Sequence, residues 1–224
     1  MSHDIAFLHT SPVHVATFER LMKDAAPGVS VRHVVDEALL ADAQKVGARD
    51  AALVARIQAA MRNAASTGAL FVVCTCSTIG GAAEHMEAGR GFAPARIDRA
   101  MADRAVALGP RILVAAAIES TIAPTLDLIN ESAAAMKAEV RLRPLFVPGA
   151  WACFLAGNEA GYVSAISDSV RAAAGDEDVV VLAQASMAPA AAALADLGIE
   201  VLSSPLLGVQ RILSALQGHA AEQS

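Results

Sequence analysis

The chain of 224 residues is poor in aromatics, in charge and in cysteine, and each shortage excludes something. Aromatic residues are 4% of the total, with one Trp and one Tyr, so the core must be built from Ala, Val, Leu and Ile. Charged residues are 18% against 55% hydrophobic, which excludes a disordered chain. Positive charge is the scarcer sign. The formal net charge is -6 and no basic stripe is present, so nucleic-acid binding is not expected. Three cysteines make no disulfide framework, and a reducing cytoplasm is the expected location. The most apolar run, ILVAAAI at 112–118, lies between Arg111 and Glu119 and is too short to span a bilayer. MSHDIAFLHT shows no signal-peptide pattern, so no membrane partner is expected.

What the chain does have is alternation. Short apolar or β-branched runs at 5–9, 31–35, 70–75, 95–97, 111–118, 140–147, 178–183 and 199–203 are separated by Ala-rich stretches of helical period. Helices are predicted at 15–25, 48–65 and 159–174, with GNEAG (157–161) as a helix start and 38–47 as a loop or short helix. Strand–helix alternation implies an α/β fold with parallel sheets covered by helices. Thr10 and Cys76 are 66 positions apart, as are Ile118 and Gln184, and both pairs are offset by 108 residues. The expected fold is therefore two similar Rossmann-like halves with four-stranded parallel sheets, related by a pseudo-twofold. The first half spans 1–106 and carries Cys76; the second spans 107–206 and carries Gln184. The C-terminal helix, 207–224, is expected to pack back on the first half.

Ligands of parallel α/β sheets bind beyond the carboxyl ends of the strands. Four strand ends carry small hydroxyl residues before a helix: His9-Thr10-Ser11-Pro12, Cys76-Ser77-Thr78, Glu119-Ser120-Thr121 and Gln184-Ala185-Ser186. Ser11, Ser77 or Thr78, and Ser186 are placed to cap, with Pro12 at a first helical position. Such helix starts offer unpaired N–H groups to a carboxylate. Each Ser or Thr is equally suited to plain capping; four at equivalent points of two halves point to one cleft for a small carboxylic acid, held by amides rather than arginine.

Cys74 and Cys76 project to the same face while the chain stays extended, a poor arrangement for a disulfide. Cys74 reads as a core residue, and Cys153 as structural. Cys76 falls where strand gives way to helix, before Gly80-Gly81, and a helix start should lower its thiol pKa. It is the expected catalytic residue. No metal cluster is signalled and no cofactor motif is present.

The pattern strand–Cys–Ser–Thr–small–Gly, with a second helix mouth 108 residues later, resembles the aspartate/glutamate/hydantoin racemase superfamily, which also contains maleate isomerases and arylmalonate decarboxylases. The superfamily's Cys-Asn-Thr is matched by Cys76-Ser77-Thr78, its first carboxylate loop by His9-Thr10-Ser11-Pro12, and its second-half turn by Glu119-Ser120-Thr121. The resemblance implies a cofactor-independent isomerase or lyase with a small carboxylic acid as substrate, and a homodimer as the default assembly. It also implies a second thiol, in a Gly-Cys-Thr after VVVL, where this chain has Ala183-Gln184-Ala185. Gln184 cannot act as a base, so a two-thiol racemase is not expected. Three chemistries remain: Cys76 as a one-face acid/base, Cys76 as a nucleophile toward a double bond, or His9 as a substitute base. A non-catalytic anion-binding protein and a Cys74/Cys76 redox protein are the alternatives.

Overall fold

The computed structural model describes residues 4–87 and 91–222. Every expected strand forms within two residues of its expected ends; the run at 95–97 becomes a strand that starts earlier, at Ala93, and ends at Arg96. The first four are β1 (Ile5–His9), β2 (Val31–Val35), β3 (Phe71–Cys74) and β4 (Ala93–Arg96); the second four are β5 (Arg111–Ala116), β6 (Arg141–Phe146), β7 (Val179–Leu182) and β8 (Glu200–Ser203). Each set makes one parallel sheet, in the order β2-β1-β3-β4 and β6-β5-β7-β8. The second sheet repeats the connectivity of the first. Registers repeat too: Leu8 is opposite Cys74 and Ala115 is opposite Leu182.

The chain divides into two compact units, one running to Ile97 and resuming at Pro205, the other Asp98–Ser204. The first unit is layered by the strand period of two. Ala6, Leu8, Val72 and Cys74 face one side, where Leu39 of α2 (Glu37–Val46), Leu53, Ile57 and Met61 of α3 (Ala51–Ala64), and Ala83 of α4 (Gly80–Glu84) cover them. Ile5, Phe7 and Val73 face the other, beneath Phe18 and Met22 of α1 (Val13–Ala25) and Val209 and Ile212 of α10 (Ser204–Glu222). The segment 38–47, whose character the sequence left open, is a ten-residue helix. Asp36 caps it by accepting from the Ala38 N–H at 3.2 Å, Leu39 and Ala43 bury one face, and Gly47 at φ 89° ends it. Similarly α3 begins at Ala51 rather than at 48 because Asp50 accepts from the Leu53 N–H at 2.9 Å.

In the second unit Leu113, Ala115, Val180 and Leu182 pack under α7 (Ala150–Leu155), α8 (Glu159–Ala173) and α9 (Ala188–Ala193). Cys153 lies in this layer, partly exposed. The opposite sheet face is covered by α5 (Arg99–Leu108), against β7, and α6 (Glu119–Met136), against β5. Although the alternation set the halves apart near residue 106, α5 falls within the second unit, where it packs on α6 and Arg99 pairs with Glu131 at 2.6 Å. No helix among the described residues is long and apolar enough to cross a membrane.

Candidate active site

β3 stops at Cys74 because the chain turns there. The Thr75 N–H makes one last sheet-like bond, to the Leu8 carbonyl at 3.0 Å, and residues 76–79 then fold back toward α4. Cys74 is fully buried and its thiol donates to the Cys76 carbonyl at 3.6 Å, so it is spent on packing and the turn. Cys76 is partly exposed, and its sulfur accepts from the Thr10 hydroxyl, the Ile79 and Thr78 N–H groups and the Thr78 hydroxyl. Burial nevertheless outweighs these donors and pushes the thiol above its ordinary pKa. This corrects the expectation of a lowered value. The helix after the turn, α4, has only five residues, too few peptide dipoles to hold a thiolate against desolvation. Cys76 is therefore held as a neutral thiol, with four donors around its sulfur.

The expected capping geometry is also different. The N-cap position of α1 is Pro12, not Ser11; Ser11 instead offers its carbonyl to the His14 N–H at 3.4 Å. The N-cap position of α4 is Ile79, with no side-chain cap, so Ser77 and Thr78 sit in the turn itself. Thr10, Ser77 and Thr78 are all nearly buried around the Cys76 turn.

Sequence reasoning missed Arg96. Although no mouth segment contains an arginine, the end of β4 delivers a buried one beneath the turn, where its Nη2 donates to the Ser77 carbonyl at 3.2 Å. A Cβ at position 80 would lie 2.8 Å from Arg96 Nε, which explains the glycine there. A charged residue in the middle of the short run ARI was the one available signal.

His9 has the surroundings of a satisfied interior polar residue. It is fully buried, with Nδ1 2.8 Å from Thr75 Oγ1 and Nε2 2.8 Å from His33 Nδ1. Burial, helped by His33 and His14, lowers its pKa to about 3. Both nitrogens are committed within the protein, so a substitute base at His9 has no free lone pair.

The second unit answers the question of the missing thiol. Past the end of β7, Gln184 turns its Oε1 onto the main chain at the end of β5, accepting from Ala117 N–H at 2.6 Å and Ile118 N–H at 3.2 Å. A neutral amide thus satisfies both of these buried main-chain donors. Beside it α6 starts without a side-chain cap at Ile118; Ser120 Oγ is buried without a partner, Thr121 is buried, and Glu119 is exposed. Ala185 is buried, and Ser186 is turned onto the phenol of Tyr162 in α8, 2.8 Å away, rather than capping. Burial pushes Tyr162 up to about 12. Neither the mouth after β5 nor the mouth after β7 contains a histidine, a cysteine or a lysine.

Glutamate racemase isoform RacE1 from Bacillus anthracis matches 97% of this chain and 82% of its own, at 14% identity and a TM-score of 0.72. The chain has the aspartate/glutamate racemase fold. Allantoin racemase from Klebsiella pneumoniae shares that racemase fold, with 17% identity, coverage of 96% and 88%, and a TM-score of 0.67. So does the Gly74Cys mutant of arylmalonate decarboxylase, with 18% identity, coverage of 96% and 93%, and a TM-score of 0.61. No family model and no curated protein matches the sequence.

Proposed function

We propose that this protein is a cofactor-independent enzyme that moves a proton at carbon in a small carboxylic acid, with Cys76 as its one thiol acid/base. The observation that carries the reading is the state of Cys76: a protonated thiol with two hydroxyls and two main-chain N–H groups directed at its sulfur. A resting thiol is a proton donor, and those four groups stabilise the thiolate left behind. The racemase fold supports an isomerase or a lyase, since racemases and a decarboxylase share it. Thr10, Ser11, Ser77 and Thr78 are the first-unit groups proposed to orient the substrate carboxylate, with main-chain N–H groups of the turn. Gln184, which cannot carry a proton, opposes symmetric two-thiol racemisation. The expected chemistry is proton delivery to one face of a carbanion, as in a decarboxylation or a one-sided exchange.

The test is proton NMR in D2O with amino acids, hydantoins, maleate and substituted malonates. Deuterium should enter one carbon with a single configuration, and Cys76→Ala should abolish it. Equal deuteration of both enantiomers, or full turnover by Cys76→Ala, would refute the assignment.

A further inference from the structure

The fully buried His9 belongs to a row of side chains that crosses three neighbouring strands and reaches the chain beside the reactive turn. His33 lies on β2, His9 ends β1, and Thr75 follows β3. The links His33 Nδ1–His9 Nε2 and His9 Nδ1–Thr75 Oγ1 are each 2.8 Å, and Thr75 Oγ1 donates onward to the Leu8 carbonyl at 3.2 Å.

The proton inventory orients the row. Thr75 has one hydroxyl proton, given to Leu8, so it must accept from His9 Nδ1–H. A neutral His9 then has a bare Nε2, which must accept from His33 Nδ1–H. This leaves His33 Nε2 as a bare lone pair, and that atom is buried without a partner. The reverse order would strand a buried N–H there instead, the rarer and costlier defect. All donors therefore point the same way along the row, and each bond polarises the next.

Two covalent neighbours connect the row to Cys76. His9 precedes Thr10, whose hydroxyl donates to the Cys76 sulfur, and Thr75 precedes Cys76 itself. The His9 carbonyl is in turn held by the Asp36 N–H at 2.9 Å. We propose that His33, His9 and Thr75 are positioning residues that hold Thr10 and the Cys76 turn in register, so that the donor set on the thiol forms. The proposal rests on Cys76 being the reactive group. The row works only with His9 uncharged, because a proton on His9 Nε2 would set two N–H groups against each other. The surroundings keep it uncharged: Phe7 and Phe18 pack against its ring, and His14 of α1 adds only like charge if protonated. At the outer end of the row, burial lowers the pKa of His33 and Glu19 of α1 acts against it to raise that pKa.

Thr75→Val and His33→Leu each break one link without touching the sulfur. Site-resolved mass spectrometry of iodoacetamide labelling across pH would give the Cys76 pKa in each. The expected result is a rise of about one unit, hence roughly tenfold slower labelling at pH 8, restored by Thr75→Ser. Cys153 labelling should not change. Unchanged Cys76 profiles in both folded variants would overturn the proposal. If neither variant folds, the native protein decides. Long-range 15N–1H correlation should show both His9 and His33 protonated at Nδ1, and an Nε2–H tautomer at His9 would overturn the row. Full turnover by Cys76→Ala would defeat the enzymatic reading alone, since labelling and tautomers are read without substrate.

Discussion

At the residue scale, one position decides what the second unit can do. Gln184 stands at the point where the resemblance implied a thiol, and its Oε1 satisfies two buried main-chain donors. Gln184→Leu removes that acceptor while keeping bulk, leaving the Ala117 and Ile118 N–H groups unpaired. A buried unsatisfied donor costs about 1–3 kcal/mol, so urea denaturation should show a loss of about 2–6 kcal/mol for the pair. A loss below about 0.5 kcal/mol would mean that water reaches those amides. The presence of Gln184 was legible in the sequence; its hydrogen bonds were not, because they depend on where the end of β5 lies.

At the element scale, the long C-terminal helix shows how one contact outweighs propensity. Gly208 of α10 lies so close to β4 and its exit that a Cβ would overlap the Ile97 carbonyl oxygen. Gly218, in the same helix, has open space around its Cβ position. Glycine costs a helix about 1 kcal/mol relative to alanine. Gly218→Ala should therefore raise stability by up to that amount, whereas Gly208→Ala should lower it by about 1–3 kcal/mol through overpacking. Thermal unfolding of the two variants side by side checks the sign of each. The short α4 makes the complementary point. The change from strand to helix after Cys74 was readable from Ser-Thr and the paired glycines, but not that the helix would be too short to lower the thiol pKa.

At the scale of the whole molecule, buried histidine makes stability depend on pH. His9 and His14 have folded pKa values of about 3 and about 4, below the ordinary 6.5. As pH falls below 6.5 the unfolded chain binds protons first, so stability present above that value is lost toward pH 3–4. By pH 5 His9 alone contributes a loss on the order of 2 kcal/mol, with His14 acting in the same direction. Both lie in the first unit. Residue-resolved hydrogen exchange at pH 7.5 and 5 should therefore show the loss in β1 to β4 and not in β5 to β8; equal loss in both would contradict it.

The sequence by itself determined the eight strands, the parallel α/β class, the repeated order of elements and the prominence of Cys76. These follow from local patterns: apolar runs of strand length, helical periods between them, and turn residues at fixed offsets. The tertiary structure alone decided what surrounds Cys76 and Gln184. Arg96 reaches the Ser77 turn from a strand 19 residues later; His9 meets Thr75 across 66 positions. Gln184 meets Ala117 across 67. Hydrogen-bond partners and desolvation depend on atoms brought together from distant parts of the chain, which periodicity and spacing do not encode.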